Sequence, residues 1–128
     1  MANPTAAMLV IGDEVLSGRT HDVNTNRLAT TLTEIGVALR EARVCPDEET
    51  EIVRHVHDLR AAFDHVFTSG GIGPTHDDIT ADSVAKAFGV AIDVREDARR
   101  ILEAHYGAEG VNAARLRMAR IPEGARLI

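Results

Sequence analysis

Aromatic residues make up only 3% of this chain, with no Trp and a single Tyr. That leaves no row of ring platforms for stacking bases, which excludes the usual chemistry of single-stranded nucleic-acid binding. Cysteine is scarcer still, with Cys45 alone. One thiol builds neither a disulfide framework nor a cysteine-based zinc site within the chain. It reads as a reduced, partly buried thiol in a cytoplasmic protein. No apolar run approaches the ~20 residues of a membrane-spanning helix, and the N-terminus carries no signal-peptide pattern. Positive charge is also short: 14 Lys and Arg stand against 20 Asp and Glu, for a formal net charge of -6. No basic block stands out, which excludes a binder of the nucleic-acid backbone. What remains is 128 residues with 45% apolar content. That suffices for one domain, 1–128, with a sizeable core.

The pattern along the chain alternates. Ala6 to Ile11 is a continuous apolar run closed by Gly12, which predicts a first strand buried on both faces. A polar turn, Gly12 to Arg19, follows. Leu28, Leu32 and Ile35 share one face of a helix predicted over Asn24 to Ile35, with Asp22 or Asn24 as its cap and Gly36 as its stop. Val37 to Val44 predicts a second strand, ended by Pro46. Asp47 suits the N-cap of a helix over Glu48 to Phe63, whose stripe is Ile52, Val56, Leu59 and Phe63. His65-Val66-Phe67 ends a third strand. Beyond the loop that follows, Ile79, Ala81, Val84, Ala85 and Phe88 recur at helical spacing, with Gly89 as the stop. Val90 to Val94 predicts a short strand. Helices follow over Glu96 to Tyr106 and Asn112 to Ala119, then a turn at Pro122-Glu123-Gly124 and a strand from Ala125 to Ile128. The order β-α-β-α-β-loop-α implies an α/β fold with a mainly parallel sheet and helices on both faces. Ligands of such sheets bind beyond the carboxyl ends of the strands. Asp13, Glu14 and Ser17, the Pro46-Asp47 turn and the glycine loop should meet there.

That loop, Thr68 to Thr80, is where chemistry concentrates. Gly70, Gly71 and Gly73 allow a sharp turn and a close approach. A glycine loop opening a helix offers free N–H groups and the positive end of the helix dipole to a phosphate. Asp77 and Asp78 at the same end would repel that phosphate unless a cation intervened. The combination points to a phosphorylated ligand with a divalent metal such as Mg²⁺. Asp78, assisted by Asp77, is then the metal candidate; the alternative is that either caps the helix. Asp47 is a site residue, an N-cap, or both. Asp13 and Glu14 suit a second metal or a ligand hydroxyl, or are solvated loop acids. Ser17 donates to phosphate or only stabilises its turn. Thr75 and Thr80 are phosphate donors, with Thr80 also suited to the first helical turn. His76 is either an acid–base group or an exposed loop histidine. The other histidines show no metal-ligand spacing.

The run Gly70-Gly71-Ile72-Gly73-Pro74-Thr75-His76-Asp77-Asp78-Ile79-Thr80 resembles the hallmark of the CinA (competence/damage-inducible protein A) amino-terminal domain family. That family belongs to the wider molybdopterin-binding fold of molybdenum-cofactor biosynthesis proteins. Ile11 to Gly18, Asp22 to Asn26 with Leu32, and Pro46-Asp47 reinforce the resemblance, which spans about Ala7 to Ile121. It implies a three-layer α/β/α domain that binds molybdopterin or a nucleotide phosphate at this edge. In the molybdopterin adenylyltransferase branch, the acids corresponding to Asp47 and Asp78 serve the ligand and metal site. The double acid Asp77-Asp78 preceded by Thr75-His76 is closer to the CinA branch, associated with metal-dependent pyrophosphatase action on ADP-ribose. Related domains occur beside FAD synthases, and members form dimers or trimers. Family domains continue past Ile128 with a further strand pair and a Pro-Gly loop near the ligand. Against that pattern the expectation is either a chain truncated at its carboxyl end or a minimal, degenerate member of the family.

Two kinds of function follow as expectations. One is metal-assisted phosphoanhydride cleavage or nucleotidyl transfer, with Asp78 and Asp47 as the catalytic acids and Mg²⁺, Co²⁺ or Ni²⁺ as the cation. The other is a module that holds a pterin or nucleotide without turnover. Neither involves nucleic acid or a membrane.

Overall fold

The computed structural model describes residues 2–128. Its organising element is β1 (Thr5–Ile11), in which Ala6 to Ile11 are each at most 4% exposed. A strand buried on both faces needs partners on both edges and cover on both sides. The edges are taken by β2 (Ala38–Cys45) and β3 (His65–Ser69), giving the parallel order β2-β1-β3. The register runs from Thr5↔Ala38 to Ile11↔Cys45, with one shift between Ala6 and Ala7, and from Ala6↔His65 to Val10↔Ser69. The chain leaves β1 toward one edge and reaches β3 at the other. Right-handed crossovers then put α2 (Asn24–Glu34) and α3 (Glu49–Ala62) on opposite faces, so the sheet is the middle of three layers.

The main core lies on the α3 side. Ala7, Leu9 and Ile11 of β1 pack with Cys45 and with Ile52, Val56 and Leu59 of α3. Ala87 of α4 (Thr80–Phe88) joins them. Cys45 is only 1% exposed, more deeply buried than the sequence suggested, and burial pushes its thiol up to about 11. It is an inert packing residue. After α4, β4 (Ile92–Val94) pairs antiparallel with β5 (Arg120–Pro122) in a separate two-stranded sheet. Between them lie α5 (Glu96–Tyr106), a 3-10 turn at Ala108–Gly110, α6 (Ala113–Leu116) and a second 3-10 turn at Arg117–Ala119.

Several expectations shift. The polar turn after β1 contains a one-turn helix, α1 (Asp13–Leu16), with Asp13 and Glu14 in its first turn. Ile35 is 69% exposed, because α2 ends at Glu34 and the chain turns away. Asp22 does hold the start of α2: its carboxylate accepts from the Asn24 N–H and the Thr25 hydroxyl. Asp47 does not cap α3; Glu48 precedes that helix and the Asp47 carboxylate is engaged elsewhere. Neither Asp77 nor Asp78 caps α4, which Ile79 precedes. The buried face of α4 is Thr80, Ser83, Ala85 and Ala87, small side chains that let it lie close on α3. Phe88 is instead half-exposed beneath the Arg60 guanidinium, 4.1 Å from its ring centre. The last strand is Arg120–Pro122, not Ala125 to Ile128.

This packing fixes which truncations hurt. Ile52→Ala and Leu59→Ala each remove a fully buried side chain, and each should cost about 2–5 kcal/mol. Ile35→Ala should stay within about 0.5 kcal/mol. Urea unfolding of the three variants checks this; equal losses at Ile35 and Leu59 would put the core on the wrong helix face.

Candidate functional site

The carboxyl ends of all three parallel strands open onto one cleft of about 470 Å³. Each loop arrives there through a specific contact. Gly12, immediately after β1, donates its N–H to Cys45 O at 3.0 Å. Two residues past the end of each strand, the two loops then clasp each other. Asp13 N–H donates to Asp47 Oδ2 at 3.0 Å, and Asp47 N–H donates to Asp13 Oδ1 at 3.2 Å. Two carboxylates are thereby held side by side by each other's backbone.

The glycine loop is tied just as closely. A Cβ at Gly70 would lie 2.0 Å from Ile11 O, so that residue must be glycine for the loop to pass the end of β1. Gly71 has φ +69° and its Cβ would fall 2.2 Å from Thr80 Oγ1. Thr80, 2% exposed, donates its hydroxyl to Gly70 O at 2.7 Å and its N–H to Gly71 O at 3.0 Å. Thr80 is therefore a lock inside the loop, and its hydroxyl is already spent. Asp78 closes the far end. Its Oδ2 accepts from the Thr75 N–H at 3.0 Å and the Thr75 hydroxyl at 2.8 Å, while Asp78 N–H donates to Thr75 O.

The cleft is lined by Asp13, Glu14, Asp47, Asp77 and Asp78 with a single cation, Arg19. The two central acids respond in opposite directions. Burial raises the Asp47 carboxyl above its ordinary 3.8; the Asp13 N–H offsets part of this, and the Asp13, Glu14 and Asp78 charges add to it. Burial also pushes the Asp78 carboxyl up, but the Thr75 hydroxyl and N–H, the Gly73 N–H and the Arg117 charge outweigh it and hold the group below 3.8.

The structure thus gathers Asp13, Glu14, Asp47, Gly71, His76, Asp77 and Asp78 of the expected residues into one cleft. Gly70 and Thr80 lie behind it as scaffold. Gly73 and Thr75 N–H groups face the Asp78 carboxylate, so part of the expected anion cradle is occupied by the chain's own acid. Ser17 stands apart, with its hydroxyl donating to Glu14 O and accepting from Arg19 Nε. His76 is 87% exposed, 3.4 Å from Asp77. Sequence reasoning missed two arginines. Arg19 enters the cleft from the turn after α1. Arg117 lies beyond Asp78 in a second cavity, with its Nε buried and unpartnered. Burying an unpaired donor costs about 1–3 kcal/mol. No local pattern marks either residue, since each reaches the loop through tertiary folding.

The family described as "probable molybdopterin binding domain" matches residues 7–124. The chain belongs to this family. A protein of Pyrobaculum arsenaticum is 41% identical over 122 residues, covering 94% of this chain and 46% of that protein. A probable FAD synthase of Caenorhabditis elegans is 43% identical over 114 residues, covering 84% of this chain and 22% of its own length. The chain thus spans less than half the length of these curated relatives. The crystal structure of CinA from Thermoplasma acidophilum, a protein described as of unknown function, superposes with a TM-score of 0.90 at 33% identity. The match covers 98% of this chain and 75% of that one. The tungsten cofactor synthesizing protein MoaB of Pyrococcus furiosus shares the fold at TM-score 0.64 and 20% identity, covering 86% of this chain and 69% of its own.

The loop contacts order the glycines by cost. Gly70→Ala meets a backbone carbonyl, Gly71→Ala meets a side-chain hydroxyl, and Gly18, at φ +82°, has open space around it. Gly18→Ala should cost about 1 kcal/mol for its backbone alone, and the other two more, with Gly70 worst. Denaturant midpoints of the three variants test the order; Gly18 proving worst would contradict it.

The two acids also predict opposite pH behaviour. Asp78, held low in the fold, stabilises it above pH 3.8, and this is lost as pH falls through its lower folded value. Asp78→Ala should therefore melt below the parent at pH 7 and converge with it under strong acid. Asp47, held high, opposes folding while ionised and stops doing so as pH falls from its folded value toward 3.8. Asp47→Asn should melt above the parent at pH 7, with the gain fading in acid. Thermal melts across pH decide both signs.

Proposed function

We propose that this domain binds a phosphorylated small molecule, a nucleotide or pterin phosphate, together with a divalent cation in the acidic cleft. On this reading it cleaves the phosphoanhydride of an ADP-ribose-like nucleotide. The observation that carries the reading is the lining of the cleft: five carboxylates and one arginine around the glycine loop. Such a concentration of negative charge suits a cation, and the raised Asp47 carboxyl is its electrostatic signature.

The donor set fits a hard cation of the Mg²⁺ type. Among the described residues, no three His, Cys, Asp or Glu side chains form a ready metal cage. Mg²⁺ is commonly held by one or two carboxylates, with waters and substrate phosphates completing its shell. Asp47 and Asp78 would hold it, with Asp77 assisting from the rim. The bound cation would supply charge neutralisation on the phosphoryl oxygens and a more acidic water. The chain's own groups do the rest. Asp13 fixes Asp47 through the paired N–H contacts, and Arg19 faces the ligand's phosphates. A cytoplasmic setting and assembly into dimers or trimers belong to the same proposal.

The second reading is a pterin-phosphate module without turnover, supported by the description of the family. Calorimetry with ADP-ribose and with molybdopterin, with and without Mg²⁺, Co²⁺ or Ni²⁺, separates the two when followed by assay for AMP and ribose 5-phosphate. Binding with product supports the hydrolase; binding alone supports the module. Asp47→Asn should weaken metal-dependent binding at least tenfold, about 1.4 kcal/mol. Parent-like affinity across the metal titration in that variant would overturn the cleft as the cation site.

A further inference from the structure

Behind the glycine loop lies a second cavity of about 230 Å³, whose lining includes Gly71, Gly73 and Asp78 on one side and Arg117, Arg120 and Pro122 on the other. It shares Gly71 and Asp78 with the acidic cleft. Its charged lining is mixed, with Asp78 and Asp82 beside Arg117 and Arg120. Arg120 is engaged with Asp82, at 2.8 Å and 3.0 Å. Nearby Arg115 lies over the Tyr106 ring and donates to Gly110 O. The Asp78 carboxylate is taken by Thr75. Arg117 alone of these has a buried Nε with no hydrogen-bond partner. It is held in place by the Arg117–Ala119 turn, whose Ala119 is fully buried and accepts from the Arg95 N–H.

We propose that this cavity is a phosphate subsite in which Arg117 takes a phosphate of the ligand held by the acidic cleft. The inference rests on reading that cleft as the site of a phosphorylated ligand, and it adds where a phosphate goes. A bare phosphate is repelled by the five carboxylates of the cleft, of which only Asp78 also lines the cavity, so its favourable place is across the loop, beside Arg117, whose Nε lacks an acceptor. A guanidinium presents forked donors matched to phosphate oxygens. The cavity is below the ~300–1,000 Å³ of whole small-molecule sites. It accommodates one phosphate-bearing part of a ligand whose remainder lies past Gly71 in the cleft.

Inorganic phosphate is the probe, titrated calorimetrically into the full chain in EDTA so that no cation contributes. The parent should bind it saturably. Arg117→Gln should bind at least about tenfold more weakly. Arg100→Gln, which removes the same charge from the exposed face of α5, should match the parent. Lack of saturable binding by the parent, equal affinity of Arg117→Gln and parent, or equal losses in both variants would each overturn the subsite. Should Arg117→Gln fail to fold, Arg117→Lys decides: it keeps the charge but not the fork. Weakening by about threefold or more supports the subsite, and parent-like affinity overturns it. Metal-dependent ADP-ribose binding is measured on the same samples. If it persists while phosphate binding is absent, the subsite falls and the cleft stands; if only phosphate binding persists, the cleft reading falls.

Discussion

Everything at the candidate site depends on β1 being buried on both faces and both edges. A strand in that position has no freedom of register, because a one-residue slip would exchange its two buried faces. Its neighbours are fixed with it: Ile11 lies beside Cys45, and Val10 beside Ser69. The first residues past the strands therefore emerge together, and the loops bearing Asp13, Asp47 and Gly70 have one geometry available. Gly70 shows how tight this is. The loop passes so near the carbonyl of Ile11 that no side chain fits. Core packing thus reaches the cleft within one residue of the strand ends.

That tightness explains how a fold tolerates carboxylates gathered at one edge. Asp13 and Asp47 repel one another, but each accepts a hydrogen bond from the other's backbone N–H. Asp78 accepts two bonds from Thr75. Charge-assisted bonds of this type are among the stronger ones in proteins, and here they are made with backbone that the sheet has already fixed. The result is uneven. Asp78 is well satisfied and Asp47 is not, which makes Asp47 the acid with most to gain from a cation.

Much of this was legible in the sequence because its signals are local or periodic. The apolar run Ala6 to Ile11, the stripe Ile52, Val56 and Leu59, and the glycines of the loop each announce their element. The resemblance carried by Gly70 to Thr80 named the family that the comparisons show. Capping was misjudged wherever a side chain had a better distant partner: Asp47 bonds across 34 residues instead of capping α3. The one-turn helix α1 has no apolar stripe to announce it, and its backbone bonds begin at Gly12 O. Arg19 and Arg117 were invisible because nothing near them in the chain relates them to the loop. Thr80 was legible as important but not in what it does, since only the fold shows its hydroxyl turned onto Gly70.

The glycine loop gains a meaning that neither its flexibility nor its N–H groups supply. It is a wall between an acidic cleft and a cavity of mixed charge that holds Arg117, and Gly71 and Asp78 line both. A wall that a ligand can cross must be thin, and backbone without side chains is the thinnest that a protein has. Gly71 meets that need while Thr80 holds it from behind. Asp78 sets the polarity: it adds negative charge to the cleft and lies close enough to feel the Arg117 charge. On the proposed reading, a ligand with a cation-bound part and a second phosphate-bearing part matches such a divided site, whereas a neutral ligand gains little from either half. On the same proposed reading, the selectivity of the edge comes from setting the carboxylates of the cleft on one side of a strip of backbone and Arg117 on the other.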